Sequence, residues 1–483
     1  MLKLFDRIKN AYGGWSVQLK ASFWFAVSSI FQKGMAFITT PIFTRILSEE
    51  EYGQYCVYNS WYSIVVILAT LNLSAGVVNN GLTKFSEKKN AFISSLQGLS
   101  IVTTVGVFVI YFVCRSFFEQ YVGLHPHMML IMFLQILFSI GTSMWSVQQR
   151  YEYKYKSLFC ISCLTACASC LLGVFAVVYS EQKFYARVYS DVLVQGIVGA
   201  SLLIYLFKRG RVFYDSYFWK YALNFNIPLL PHYLSMIVLG QSDRIMIERM
   251  EGLPEAAKYS TAHSVAMIMT IVSNAINTTL IPYTYKSLKE KKYDGIKKNA
   301  DGLIVLVAAI CVASMAFGPE IVWLMAPPEY YDARWIIPPV AASVYFMFLY
   351  PLFANFEFYF EKTKFIMVAS CCGAGLNILL NYICIPLWGY YAAGYTTLFC
   401  YIVFSLAHFI AYKCILKKEL KRDAVYNGKR ILLYSLLLIA FMVIMLTLYY
   451  IPYMRYAVIT IFLILGIIYK NRILNIFKRL KDK

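Results

Sequence analysis

The chain has 483 residues, 60% of them apolar and only 14% charged, with 45 Lys and Arg against 25 Asp and Glu for a net charge of +20. No soluble fold of this length hides so much apolar surface in one or two cores, so lipid must cover the remainder. The basic excess sits in short loops beside apolar stretches, where anionic lipid headgroups supply the counter-charge, and this excludes nucleic acid as the partner.

Apolar runs of about 20 residues, each long enough to cross a hydrocarbon core of roughly 30 Å as a helix, recur along the whole chain. Fourteen spans are read. The first eight are Ser22 to Thr44, Tyr55 to Val77, Phe92 to Val113, Met128 to Val147, Leu158 to Tyr179, Val188 to Phe207, Leu223 to Gly240 and Tyr259 to Tyr283. The remainder are Gly302 to Met325, Trp335 to Phe358, Phe365 to Ile385, Gly389 to Tyr412, Ile431 to Ile451 and Tyr456 to Tyr469. Thirty-five of the 45 Lys and Arg fall in alternate gaps, beginning with the N-terminal segment. Basic loops stay on the cytoplasmic side, so both termini are expected there and the number of spans is even. The first run is followed by Glu49, Glu50 and Glu51 rather than a small-residue cleavage site, and reads as a retained span. The basic, amphipathic ends (Leu2, Leu4, Phe5 and Ile8; Ile473, Ile476 and Leu480) are expected on the inner leaflet. Most of the twelve Cys lie inside spans, as Cys160, Cys163, Cys167 and Cys170 do, and read as small core residues.

The fold class that follows is an all-α integral membrane protein. An internal repeat refines it: Thr44-Arg45-Ile46-Leu47 with Gly53-Gln54-Tyr55 after the first span, and Asp243-Arg244-Ile245-Met246 with Ala257-Lys258-Tyr259 after the seventh. Both copies leave the membrane on the same face, so the repeats are parallel. The expectation is two pseudo-symmetric six-helix bundles, residues 1–212 and 213–422, around a central cavity, with two further helices and a basic tail over 423–483. Such paired bundles suit alternating-access transport.

Lys33 lies near the middle of the first span, too deep for its stem to reach water easily. It needs a wet or paired setting. Helical spacing places Ala26, Ser29, Lys33, Ala36 and Thr40 on one small and polar face, with Phe31, Met35, Ile38 and Ile42 opposite as the lipid-like face. Lys33 is therefore read as a lumen cation, with Gln32 flanking it. The alternative is a structural ion pair within the bundle. The eighth span carries His263, Met267, Thr270, Asn274, Asn277 and Ile281 on one face, polar groups that bond either a hydrated ligand or a neighbouring helix. Pro228 and Pro231 free carbonyls and bend the seventh span, making a hinge beside His232. Arg45, Asp243, Arg244 and Arg249 are expected on the outside rim, as an anion catch or a lock between bundles. Asp191, Glu320, Glu357 and His232 are the groups able to hold a coupling H+ or Na+. No other cofactor is expected. A phosphate-cradling glycine loop, zinc-ligand spacing and a nucleophile elbow are all missing, and short loops leave no room for a catalytic domain, so the chain does not read as an enzyme.

Several segments resemble the polysaccharide transporter family of the multidrug/oligosaccharidyl-lipid/polysaccharide exporter superfamily, the O-antigen and capsule repeat-unit flippases. They are Pro41 to Ser48 with Glu51-Tyr52-Gly53-Gln54-Tyr55, Ile227-Pro228-Leu229-Leu230-Pro231 with Asp243-Arg244, Lys258-Tyr259-Ser260 with Ala262, and Pro319-Glu320-Ile321-Val322 to Glu329-Tyr330-Tyr331. Glu49 and Glu248 depart from the family's usual Pro and Gly. The resemblance implies a flippase of the bacterial inner membrane that moves an undecaprenyl-diphosphate-linked oligosaccharide, with lumen cations such as Lys33 receiving the diphosphate. The partners it implies are the lipid-linked substrate, membrane lipids, and a polysaccharide polymerase with its chain-length machinery. Peptidoglycan-precursor flippases, teichuronic-type exporters and drug antiporters share the scaffold, and an envelope polymerase or sugar transferase, with Asp243 and Glu248 as acids, is the enzymatic alternative.

Overall fold

A computed structural model describes residues 17–468. The amphipathic ends read at Leu2 to Ile8 and Ile473 to Leu480 lie outside the described residues, as does the side chain of Lys33. All regular structure among the described residues is helical. The chain folds as two compact units, Met1–Ile245 and Met246–Lys483.

The first unit contains α1 (Val17–Ile46), α2 (Glu49–Thr70), the short α3 (Val77–Lys84), α4 (Lys89–Val113), the short α5 (Arg115–Val122), α6 (Pro126–Tyr151), α7 (Tyr155–Val178), α8 (Lys183–Gly210) and α9 (Ser216–Asn226). α10 (Leu230–Met250) runs across the division. The second unit continues with α11 (Leu253–Lys289), α12 (Tyr293–Ala316), the short α13 (Gly318–Met325), α14 (Ile337–Tyr359), α15 (Thr363–Trp388), α16 (Tyr391–Ile415), α17 (Gly428–Leu448) and α18 (Pro452–Ile468).

Among the described residues, helix occupies most of each of the fourteen stretches read as spans. Ten helices among the described residues are long and apolar enough to cross a membrane, or eleven when the bent α11 counts as one span. α1, α2 and α18 are the helical stretches that fall short. α1 carries Lys20, Lys33 and Arg45, the first half of α2 is rich in Tyr, Gln, Asn and Ser, and α18 has only 17 residues. The chain is thus a multi-pass membrane protein, and its outward faces agree: α7 exposes Leu164, Leu171 and Phe175, all on one side of the helix, while α17 exposes Leu432, Leu433, Leu436 and Leu437.

Local chemistry sets the element ends. Ser48 closes a capping box with Glu51, its hydroxyl accepting from the Glu51 N–H at 3.2 Å while the Ser48 N–H donates to the Glu51 carboxylate at 2.9 Å. This explains part of the motif at the end of the first span. α2 stops at Leu71 and Asn72, both with left-handed φ (50° and 49°). Its freed carbonyls are bonded inside the unit: Thr103 donates to the Ala69 carbonyl at 2.7 Å, and the Asn226 amide donates to that of Leu71. Pro228 breaks the seventh span into α9 and α10 through a turn at Ile227–Leu229. The boundary read between residues 212 and 213 falls inside the first unit, where Phe218 and Ala222 of α9 share a buried cluster with Phe92 and Leu96 of α4. Gly389, at φ 67°, makes the tight turn between α15 and α16 that hydropathy alone leaves vague.

Glycines let helices of the first unit touch backbone to backbone. A Cβ on Gly141 of α6 would stand 2.2 Å from the Gly199 carbonyl oxygen of α8, and one on Gly199 would stand 2.2 Å from that of Phe138. Small residues at such crossings replace the hydrophobic drive that lipid cannot supply.

In the loop after α6, Glu152 accepts from Lys89 at 3.0 Å and Lys154 at 2.5 Å, tying the starts of α4 and α7 to the end of α6. Burial pushes the Glu152 carboxyl up, but the hydrogen bonds and charges of Lys154 and Lys89 outweigh it and hold the group below its ordinary range. A depressed folded value stabilises above the unfolded pKa, about 4.3, and that contribution is lost as pH falls through the folded value. Glu152→Gln should therefore melt below wild type at pH 7 and converge with it at acid pH, as followed by thermal unfolding in detergent.

Candidate functional site

Within the first unit a cavity of about 520 Å³ opens between α1, α2, α6, α7 and α8. Hydroxyl and amide groups line part of its wall, Gln32 and Thr39 from α1, Thr142, Ser143 and Ser146 from α6, Ser162, Thr165 and Ser169 from α7, and Gln195 from α8, beside apolar residues such as Met35, Trp145, Leu158, Ile161, Val198 and Leu202. The charged groups that line it are Arg187 and Asp191, one turn apart on α8.

These two are committed to each other. Arg187 Nη1 donates to Asp191 Oδ1 at 2.6 Å, and the Tyr55 hydroxyl donates to Asp191 Oδ2 at 2.8 Å while accepting from Arg187 Nη2 at 3.0 Å. The guanidinium carbon lies 4.1 Å from the Phe43 ring centroid and 4.8 Å from that of Tyr55. Both residues are buried, at 6% and 8% exposure. Gly173 makes room: a Cβ there would be 2.7 Å from Arg187 Nη1 and 3.1 Å from Phe43. Gly173→Val should displace the guanidinium and lower the melting temperature, whereas Gly106→Val, at a glycine with open space around it, should not. A second chain backs the wall: Tyr58 donates to Gln135 at 2.9 Å, and Gln135 donates to Gln195 at 3.1 Å.

The second unit holds a different polar pair. Glu357 of α14 and His408 of α16 share a hydrogen bond at 2.7 Å, both with side chains fully out of solvent. Among the described residues, Glu357 Oε2 and His408 Nε2 have no hydrogen-bond partner. Tyr350, Phe404 and Phe365 rings lie around the imidazole. His408→Leu alone strands a buried carboxylate and should destabilise by about 3 kcal/mol or more, while Glu357→Leu/His408→Leu should recover most of it in detergent melting curves.

The polysaccharide biosynthesis protein family matches residues 18–287, more than half of the chain. The chain belongs to that family. The MatE family also matches, over residues 228–383. Among relatives of this family member, a protein of the Lsg locus of Haemophilus influenzae is 24% identical over 369 residues, 73% of this chain and 87% of its own. The succinoglycan biosynthesis transport protein ExoT of Rhizobium meliloti is 22% identical over 63% of this chain and 60% of its own. The fold is that of the lipid II flippase MurJ in an inward closed conformation, at a TM-score of 0.68 with 13% identity over 93% of this chain and 99% of that one. It is also that of an inward-facing multidrug resistance MATE transporter of the MOP superfamily, at 0.61 with 11% identity over 83% and 99%.

The family member's structure redistributes the residues that its sequence singles out. Among the described side chains of α1, Gln32, Met35 and Thr39 line the cavity, so Met35 belongs to the cavity rather than to the lipid-like face. Ser29 is half-buried and Thr40 buried outside that lining. Arg45 is exposed and donates to the Pro41 carbonyl at 2.7 Å. Arg244 donates to the Gln241 side chain at 3.0 Å and to the Gly240 carbonyl at 3.1 Å, and Gln241 accepts from Ser60 at 3.1 Å. Asp243 is buried at 2% exposure, while Arg249 is exposed. The ring of His232 lies 5.8 Å from that of Tyr233 and tilted to it, beside the break between α9 and α10. On α11, His263 and Thr270 are half-buried, Asn277 is buried and Asn274 exposed, so these four do not share one degree of burial along the face.

The candidate carboxylates all have partners. Asp191 is held by Arg187 and Tyr55. Glu320 accepts from Arg455 at 3.1 Å and from Tyr456 at 2.5 Å, bolting α18 to the start of α13. Glu357 is held by His408. Arg187 and His408 were not legible as site residues: Arg187 reads as a loop residue just outside the sixth span, although its spacing of four from Asp191 is that of a helical ion pair. No local signal marks His408.

Proposed function

We propose that this protein is a flippase that moves undecaprenyl-diphosphate-linked oligosaccharide repeat units across the bacterial inner membrane by alternating access, for O-antigen or capsule-type polysaccharide. The observation that carries the reading is a cavity partly walled by hydroxyls and amides inside a membrane-embedded bundle of a polysaccharide biosynthesis family member. A sugar diphosphate carries charge and many hydroxyls, which makes hydrocarbon prohibitive for it, while its polyprenyl tail is content in lipid. A polar chamber that changes access relieves the headgroup of that cost.

In this reading Lys33 receives the diphosphate, and the polar wall around Gln32, Thr165 and Gln195 receives sugar. Both termini lie in the cytoplasm, fourteen spans cross the membrane, and the two repeated bundles rock against each other. A coupling H+ is held by Glu357 with His408. The polymerase and chain-length machinery take the exported unit. A peptidoglycan-precursor flippase is the second reading, favoured by the MurJ-like fold.

In a strain lacking the gene, surface polysaccharide should be lost and lipid-linked repeat unit should accumulate. Restoration by the wild-type gene, but not by Lys33→Met expressed at the same level, would support the assigned role of the lysine. Persistence of surface polymer in the absence of a second flippase would overturn the assignment. Loss of viability with arrested peptidoglycan synthesis instead would favour the second reading.

A further inference from the structure

We infer that the breaks in two helices of the first unit form a single joint, in which the turn between α2 and α3 is the bearing on which α10 swings and Asn226 is the pin. This rests on the alternating-access reading and names a moving part for it. The two breaks have different origins. Pro228, which lacks an N–H, ends α9 at Asn226 and forces the turn Ile227–Leu229 before α10 begins. The break between α2 and α3 contains no proline. It turns on Leu71 and Asn72, left-handed at φ 50° and 49°, a conformation that costs a residue with a side chain and persists where surrounding contacts impose it.

The imposing contacts come from the other break. Asn226, the last residue of α9 and fully buried, donates its amide to the Leu71 carbonyl. Gly76, the residue before α3, is wedged against both sides of the proline turn. A Cβ there would stand 3.4 Å from the Phe225 ring and 3.2 Å from Asn226 Oδ1, which precede the turn, and 2.9 Å from the Tyr233 hydroxyl, which follows it. The fixed side of the joint is well anchored. Leu73 and Val77 share a buried cluster with Phe218 and Ala222 of α9 and Phe92 of α4, and Thr103 and Thr104 of α4 both donate to the Ala69 carbonyl, at 2.7 and 3.2 Å. That leaves α10 as the arm, and α10 is the segment by which the chain passes into the second unit. Asn226 Oδ1 is buried with no hydrogen-bond partner among the described residues. An unpaired buried acceptor and two left-handed residues at one point are strain that a second position of α10 releases.

The test is hydrogen–deuterium exchange of the full-length protein in nanodiscs, following the peptides that carry residues 71–77 and 229–235, with α6 as the reference. Asn226→Ala should speed exchange in both segments together, by about tenfold for the one hydrogen bond lost, and leave α6 unchanged. Pro228→Ala restores an N–H and lets α9 run on into α10, so it should slow exchange in both segments; this variant decides the matter where Asn226→Ala does not fold. Gly76→Ala drives its Cβ against the Tyr233 hydroxyl and should slow the exposure of a polyprenyl-diphosphate oligosaccharide by proteoliposomes severalfold. Adding Tyr233→Phe removes that hydroxyl and should restore the rate. Exchange changes confined to 229–235, exposure by Gly76→Ala at the wild-type rate, or its failure to recover with Tyr233→Phe overturns the inference. Wild-type protein that exposes no lipid-linked oligosaccharide overturns the flippase reading instead, and the exchange measurements then decide the joint by themselves.

Discussion

Asp191→Ala is expected to destabilise the first unit by about 3–5 kcal/mol, the usual consequence of removing one member of a buried ion pair. The magnitude follows from what is left behind. Arg187 is 6% exposed, wedged between the Phe43 and Tyr55 rings, and its remaining polar neighbour is a phenol. A guanidinium cannot shed its proton to escape, as a buried lysine can, so the uncompensated charge persists. Arg187→Met/Asp191→Leu removes both charges and should return most of the stability, because a dry apolar pair of similar volume replaces an ion pair that had already lost its hydration. Melting temperatures of the wild type, both single variants and the double variant in one detergent complete the cycle. A double variant no more stable than the singles would mean that the pair shapes the wall through Tyr55 rather than through charge balance.

Gly141→Leu is expected to prevent the first unit from forming at all. Even an alanine there brings its Cβ to 2.2 Å from the Gly199 carbonyl oxygen and 2.7 Å from the Leu203 nitrogen. Those are backbone atoms of α8 and cannot swing aside, so α6 and α8 must separate. Overpacking of this kind costs about 1–3 kcal/mol when side chains can adjust, and more when whole helices must move. Gly141→Ala should survive with a lowered melting temperature, and Gly141→Leu should leave no monodisperse peak in size-exclusion chromatography of the solubilised protein. Gly106→Leu, with open space around its Cα, should behave as wild type.

The helical layout was readable because apolar length and loop charge are local properties. Among the described residues most of each stretch read as a span is helix, and Pro228 breaks the seventh where the pyrrolidine ring dictates. The site was less readable. The side of α1 that faces the cavity is set by its contacts with α7, which the polarity pattern of α1 alone cannot report. The Arg187–Asp191 pair had a sequence signal in its spacing, but a span boundary drawn at Val188 placed the arginine in a loop. The Glu357–His408 contact joins helices 51 residues apart, and nothing in either segment announces the other. Charged residues in membrane bundles find partners through tertiary packing, so single-residue depth suggests that a function exists without saying what the residue touches.

The central claim is that the protein moves a lipid-linked oligosaccharide and leaves its bonds intact. Reconstitution into proteoliposomes that carry a polyprenyl-diphosphate oligosaccharide in the inner leaflet tests this most directly, with exposure followed by a lectin added outside and the lipid recovered for mass analysis. The account predicts that lectin-accessible substrate rises with time above protein-free vesicles and that the recovered lipid keeps its original mass. Exposure no faster than in protein-free vesicles, or a new covalent product in the recovered lipid, would contradict it.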